Sequence, residues 1–273
     1  MKCLVLGSEG QIGKELVSFL RARGDEVTEW DFAEGDLRFS SNDLNRVVLA
    51  ADMVYFLAFD VGGSLYLKKF EKTKAFLDNN VALMENVFNV LEEYNTPFIF
   101  ASSQMSNMSH SPYGVLKRLG EFYTDSLPHG LNVKFWNVYG HETDPDKTHV
   151  ITDFLTSAAE TGTINIRTNG LEIRQFLHAN DCSKCLRELA INFEHLDRNG
   201  SFDITSFKWH SVREVAAIVC GLFPGSNFLP GKAYDEVQLD AANEPTEHIL
   251  KYWKPETTLK DGIEDIARKM GLL

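Results

Sequence analysis

The first two dozen residues constrain this chain more than any other stretch. Lys2–Leu6 is a short apolar run that reads as a strand. Ile12–Arg23 has helical apolar spacing and is closed by Gly24. Between them stands Gly7-Ser8-Glu9-Gly10-Gln11-Ile12-Gly13, a G-x-x-G-x-x-G turn. Gly7 permits the tight turn, Gly10 lets an anionic group approach the helix N-terminus, and Gly13 lets the helix pack close to a sheet. Any strand-to-helix turn favours glycine, so the order strand, glycines, helix carries the signal.

The same alternation continues. Glu26–Trp30, Met53–Leu57, Pro97–Ala101 and Leu131–Asn137 read as strands. Lys72–Glu93 and Tyr113–Ser126 read as helices between them. Repeated strand–helix units predict an α/β fold, a Rossmann-type doubly wound parallel sheet. After Gly140 the pattern loosens: His141–Lys147 is polar and contains Pro145, as a linker or substrate loop would. Helices are expected at about 149–161, 181–193, 211–221 and 257–269, mixed with short strands. The expected division is residues 1–140, with about 174–205, as a dinucleotide-binding domain. Residues about 141–173 and 206–273 then form a smaller mixed α/β substrate lobe.

The glycine turn calls for a dinucleotide, and an acid should follow at the end of the second strand, about twenty residues on. Asp31 stands there. A carboxylate at that place binds ribose hydroxyls and repels a 2′-phosphate, which predicts NAD; Arg38 nearby leaves NADP open. Asp36-Leu37 is a further candidate for the adenine.

Ala101-Ser102-Ser103 ends a strand, and Pro112-Tyr113-Gly114-Val115-Leu116-Lys117 opens a helix. Tyr113 and Lys117 are four apart and share a helix face. An ammonium and an oxidised nicotinamide near a phenol lower its pKa, so Tyr113 could take a proton from a sugar hydroxyl while hydride leaves. Ser103 could hold the same oxygen.

With these motifs the chain resembles the extended short-chain dehydrogenase/reductases of the nucleotide-sugar epimerase/dehydratase family. The resemblance also includes Leu57-Ala58 at a strand end, Asn79-Asn80-Val81 and Asn137-Val138-Tyr139-Gly140. It extends to Arg174–Asp181 and to Trp253-Lys254-Pro255 with Leu259 and Gly262. It implies catalytic Ser103, Tyr113 and Lys117. It implies a cofactor held by Gly7, Gly10, Gln11, Ile12, Gly13, Asp31, Asp36, Leu37, Leu57, Ala58, Asn80, Ala101, Tyr113 and Lys117. It places Ser102, Asn137 and His149 near substrate, and Arg174 on a nucleotide diphosphate, which a planar guanidinium suits.

Dehydratases of the family carry an acidic pair after the catalytic hydroxyl; here Gln104-Met105 stands there, which disfavours dehydration. Ala58–Gly63 and Thr148-His149-Val150-Ile151 resemble stretches of GDP-fucose synthase, and the first also resembles GDP-mannose 3,5-epimerase. His149 is thus either an acid/base or a group that contacts substrate without titrating. The Cys of those enzymes is replaced by Met105. The expected reaction is a C4 epimerisation through a keto sugar; a 4-keto reductase or C4 dehydrogenase needs the same residues. A non-catalytic dinucleotide sensor and a reductase of non-nucleotide carbonyls are the competing classes. The former is opposed by Ser103, Tyr113 and Lys117, the latter by Arg174.

Composition narrows the partners. The formal charge of −12 opposes binding along a phosphate backbone, so no nucleic acid is expected. No apolar run approaches eighteen residues, and MKCLVLGSEG is too short and glycine-rich for a signal h-region, so neither a membrane span nor export is expected. Four scattered cysteines fit a reducing cytoplasm; Cys182 and Cys185 fit one face of a helix better than a metal site. Family members are often homodimers through paired helices, here Lys72–Glu93 and Tyr113–Ser126.

Overall fold

The computed structural model describes residues 1–142, 144–235 and 243–273. Thr143, in the polar linker, and 236–242, in the expected smaller lobe, lie outside the described residues. In chain order the first part contains β1 (Lys2–Leu6), α1 (Gln11–Ala22), β2 (Glu26–Trp30), α2 (Asn42–Ala50), β3 (Met53–Phe56) and α3 (Ser64–Phe70). Next come α4 (Lys74–Tyr94), β4 (Phe98–Ser103), α5 (Pro112–Ser126), β5 (Gly130–Phe135), β6 (Asn137–Tyr139) and α6 (Val150–Thr161). The remainder holds β7 (Thr163–Thr168), β8 (Ile173–His178), α7 (Ala179–Ile191), β9 (Phe202–Ile204), β10 (Trp209–Ser211), α8 (Val212–Leu222), β11 (Asn227–Ala233) and α9 (Leu259–Lys269).

The main sheet has the order β2-β1-β3-β4-β5-β9 and is parallel throughout. Its inner strands β1, β3 and β4 are buried on both faces, as parallel strands are when helices cover the sheet. Cys3 and Val5 point into one core, and Leu4 and Leu6 into the other. Tyr55 and Ile99 join the first core, while Phe56, Phe98 and Phe100 join the second. The direction of winding reverses between β1 and β3, and the cleft there opens at the strands' carboxyl ends, where an α/β sheet binds ligands. The doubly wound parallel sheet expected from the alternation is thus what the chain forms.

Two smaller sheets, β10-β8-β6 and β11-β7, support a third core lined by α6, α8 and α9. The end of α9 closes against the first half of the chain. A side chain at Gly262 would meet the Tyr139 hydroxyl at 2.0 Å, and Lys269 pairs with Glu15 of α1 at 3.2 Å. Among the described residues no helix is long and apolar enough to cross a membrane.

The structure departs from the sequence reading in three places. The stretch between Asp31 and Met53, for which the sequence reading placed no element, carries α2, capped by Ser41 and seated through Leu44 and Val48. The single strand expected over Leu131–Asn137 is two. Trp136 breaks it: its indole donates to Asp203 at 3.0 Å, and β6 leaves the main sheet to pair with β8. The helix α3 was not foreseen. It follows Gly63, whose backbone lies so close to Thr148 that a Cβ would meet that carbonyl at 2.3 Å.

Candidate functional site

A cleft of about 1200 Å³ runs along the carboxyl ends of β1, β3, β4 and β5 and under the smaller sheets. At one end is the glycine turn. Gly7 adopts φ +89°, and its N–H donates to the Trp30 carbonyl at 2.9 Å. A Cβ on Gly13 would lie 2.1 Å from the Gly7 carbonyl, so that helix turn tolerates only glycine. A Cβ on Gly10 would meet nothing nearer than that carbonyl at 3.4 Å, which leaves the helix entrance open to the cleft. Gly10 caps α1 without a side-chain bond, so the first-turn N–H groups face outward. The buried Gln11 amide nitrogen also has no partner. These donors, at the positive end of a helix, fit a diphosphate.

Asp31 ends β2 beside this turn. Its carboxylate accepts the Glu9 N–H at 2.9 Å and also the Phe32 N–H. Ile12, Leu57 and Ala58 line the same wall. Asp36 and Leu37 line the cleft too, but the Asp36 carboxylate is gripped by Arg38 through Nε and Nη2. That guanidinium holds Asp36 below its ordinary carboxylate range. Arg38 gives its remaining arm to Asn79 at 2.6 Å, so its charge is already matched, which weakens the case for a 2′-phosphate.

Asn80 does not reach the cleft. It is fully buried, accepts the Asp60 N–H at 2.8 Å, and donates to the Phe76 and Asp60 carbonyls. Of the adjacent pair, Asn79 lines the cleft and Asn80 fixes the loop after β3 from behind.

The middle of the cleft holds Ser103, Tyr113 and Lys117. β4 delivers Ser103 at its end, and α5 delivers the other two from its first two turns. Ser111 caps α5 and Pro112 opens it. A Cβ on Gly120 would strike the Phe100 ring at 2.3 Å, so this glycine lets α5 lie against β4. The Ser103 hydroxyl lines the cleft with the Tyr113 phenol and accepts the Met105 N–H at 3.2 Å. The Lys117 ammonium donates to the Ala101 carbonyl at 2.7 Å and sits 3.7 Å from the centre of the Phe59 ring. Phe59 is a site residue that the sequence did not single out.

Burial pushes the Tyr113 phenol up to about 12, with the Ser103 hydroxyl opposing, and pushes Lys117 down to about 7, with Glu121 opposing. The expectation that Lys117 lowers the phenol's pKa therefore fails for the chain by itself. Its Nζ lies 5.9 Å from the Tyr113 ring centre and is turned toward Ala101. The residues fit a cofactor carrying a positive ring: a cation against a buried phenol favours the phenolate.

Ser102 was expected at the substrate. It lines the cleft, and its hydroxyl donates to the buried Glu121 at 2.5 Å, where Arg118 also binds. Gln104 is turned onto Asn243, so of the pair after Ser103 only Met105 lines the cleft. Asn137 lines it with a buried Oδ1 that lacks any partner.

The far end is built from charge pairs. Arg174 is 16% exposed; one Nη donates to its neighbour's carbonyl at 2.6 Å and the other to Asp235. His149 lines the cleft and is held by Glu142, which takes the ring Nδ1 at 2.5 Å and the His149 N–H at 2.9 Å. Neither Glu142 nor Asp235 stood out in the sequence, because each is defined only by its partner. Cys182 and Cys185 lie buried on one face of α7, far up in pKa because of burial. Among the described residues no cluster of His, Cys, Asp or Glu suits a metal ion.

A family model described as the NAD dependent epimerase/dehydratase family matches residues 3–204. The chain is 23% identical over 304 residues to UDP-glucuronic acid decarboxylase 2 of Arabidopsis thaliana, covering 96% of this chain and 66% of that protein. It thus spans just under two thirds of that relative's length. Among solved structures, the epimerase Mth375 of Methanothermobacter thermautotrophicus superposes with a TM-score of 0.83 at 21% identity, over 99% of this chain and 92% of that one. TunA, an NAD dependent NDP-hexosamine 5,6-dehydratase involved in tunicamycin biosynthesis, gives 0.83 at 18% identity, over 99% and 97%. At these identities the likeness is one of fold.

Proposed function

Because the chain belongs to the NAD dependent epimerase/dehydratase family, we propose that it is a nucleotide-sugar epimerase working at C4 through a keto sugar. The observation that supports this most is the convergence of Ser103, Tyr113 and Lys117 on the middle of the cleft, with Met105 where a dehydratase would carry an acid. NAD, the family's cofactor, supplies a reversible acceptor for hydride.

The chain's residues do the rest. Asp31 takes the adenosine ribose, and Gly10, Gln11, Ile12 and Gly13 present N–H groups to the diphosphate. Leu57, Ala58 and Ala101 wall the ring systems. Tyr113 accepts the proton of the C4 hydroxyl, and Ser103 holds that oxygen. Lys117, anchored on Ala101, holds its amino group near the phenol. Asn137 offers its free Oδ1 to the sugar, and Arg174 leaves Asp235 for the nucleotide diphosphate. Rotation of the keto sugar and return of hydride to its other face complete the inversion. Residues 1–140 with about 174–205 bind NAD in this reading, and about 141–173 with 206–273 bind the nucleotide sugar.

The chain is further proposed to act as a homodimer. Val81 on α4 and Val115, Leu119, Phe122 and Tyr123 on α5 are exposed apolar side chains on the two helices expected to pair. A monomeric mass by light scattering at micromolar concentration removes that part.

Mass spectrometry of small molecules released on denaturation tests the main proposal. Retained NAD near one per chain, followed by interconversion of C4 epimers with added nucleotide sugars, is the expected result. A cofactor exchanged at each turnover points instead to a 4-keto reductase or C4 dehydrogenase.

A further inference from the structure

Glu142 is nearly enclosed, with its side chain 7% exposed, yet its pKa lies below the ordinary carboxylate range. Burial pushes it up, but bonds from the His149 ring, the Thr152 hydroxyl and the His149 backbone outweigh that. Oε1 meets His149 Nδ1 at 2.5 Å; Oε2 accepts the His149 N–H at 2.9 Å and the Thr152 hydroxyl at 2.6 Å. An ionised carboxylate only accepts, so Nδ1 must carry a proton whatever the charge on the ring. The ring itself is 42% exposed and lines the cleft, which puts its other edge, with Nε2, on the open side.

The segment is braced from a second direction. Gly63 donates to the Lys147 carbonyl at 3.2 Å, and its missing side chain admits the Thr148 carbonyl. Thr148 is tied to Asp153 at 2.7 Å. So a half-exposed histidine at the head of α6 has its backbone, its ring and its neighbours all fixed. A residue that only fills space needs none of this.

We infer that Glu142 is a positioning residue that pins His149 with Nδ1–H toward itself and presents Nε2 to the sugar as a carbon acid/base beside the hydride machinery. This rests on the keto-sugar reading above. In the added step Nε2 takes the proton from the carbon next to the carbonyl. The C–H pair becomes a C=C bond, and the carbonyl π pair moves onto oxygen, giving an enolate. The imidazolium so formed is matched by the Glu142 carboxylate. Return of the proton to either face restores the ketone, and no oxidant or reductant is consumed.

The test uses the NAD-loaded protein in D2O with UDP-glucose, UDP-glucuronic acid and GDP-mannose as probes. Reduction of bound NAD is followed by absorbance, and deuterium gained at each sugar carbon by NMR. The expected result is deuterium at C3 or C5 with at least one probe. In Glu142→Gln that exchange falls about 10- to 100-fold, as for other residues that orient a functional histidine. NAD reduction stays within about threefold of wild type, and Glu142→Asp regains part of the exchange. Exchange undiminished in Glu142→Gln overturns the inference. So does an equal loss of exchange and NAD reduction that Glu142→Asp does not repair, since that marks a merely structural residue. NAD reduction without any exchange in the wild-type protein overturns it while leaving the proposed function standing. If no probe reduces NAD, the proposed function fails and takes the inference with it.

Discussion

At the glycine-turn end of the cleft the groups facing a ligand are mostly backbone: the first-turn N–H groups of α1 and the walls at Leu57, Ala58 and Ala101. At the far end they include charged side chains, three of them already matched: Arg174 by Asp235, His149 by Glu142 and Arg167 by Asp153. The first end offers a diphosphate open donors. The second makes a newcomer compete with a carboxylate for these three cations. Such competition costs affinity but rejects ligands that lack the right charge in the right place. Ser103, Tyr113 and Lys117 stand where the two ends meet.

The contrast is tested most severely at that junction. Tyr113→Phe removes only the hydroxyl, and turnover is expected to fall about 10²- to 10⁴-fold with NAD content and melting temperature unchanged. Retention of more than about a tenth of wild-type turnover would move proton transfer to another group.

Arg174→Ala should separate the two ends. A charge-assisted contact is worth about 1.5–3 kcal/mol, so KM for the nucleotide sugar should rise roughly 10- to 100-fold, with bound NAD unchanged. Asp235→Asn should lower KM, because the competitor is weakened; a rise there would make Asp235 a substrate contact.

The glycine-turn end is broken by a methyl group. Gly13→Ala places a carbon 2.1 Å from the Gly7 carbonyl and should cost about 1–3 kcal/mol of stability together with the bound NAD. Gly10→Ala, with 3.4 Å of room, should fold like the wild type and lose affinity for NAD alone. Equal melting temperatures for both variants would mean that the turn adapts.

The smallest effect is a slope. Lys117 titrates near 10.5 in an unfolded chain and near 7 when folded. Between those values the unfolded chain holds the extra proton, so Lys117 should make cofactor-free protein gain stability as pH rises from 7 toward about 8; above that the buried thiols of Cys3, Cys182 and Cys185, raised from 9.0, oppose the gain. One group contributes at most about 1.4 kcal/mol per pH unit. Tyr113 opposes this only above its unfolded value of 10. Denaturant titrations at pH 7, 8 and 9 should show the slope reduced in Lys117→Met; an unchanged slope would mean that Lys117 stays charged when folded.

The same contrast explains what the sequence revealed. β1 and β2 are read to the residue because an apolar run bounded by glycine or charge leaves little choice. Ser103, Tyr113 and Lys117 are legible because a strand end and an i, i+4 pair fix their directions locally. Asn80 was misplaced because neighbours on a helix differ by about 100° in direction, and only the docked position of α4 decides which of Asn79 and Asn80 faces the cleft. Asp235 meets Arg174 across 61 positions of sequence, and no periodicity reports such a meeting. Glu142 precedes His149 by only seven, but in a loop, where spacing does not determine direction.

The seating of α9 bears on how this chain is made. The glycine turn leaves a ribosome well before Gly262, yet the Tyr139 hydroxyl is covered only when Gly262 arrives. Until then Val215, Ala216 and Val219 of α8 and Ile151 and Leu155 of α6 lack the apolar cover of Ile263 and Ile266. Until α9 is made, then, a nascent chain carries a nearly finished main sheet and an unroofed third core. That unroofed surface is what a chaperone or a protease would meet, and a stop codon before residue 259 would leave it open for good.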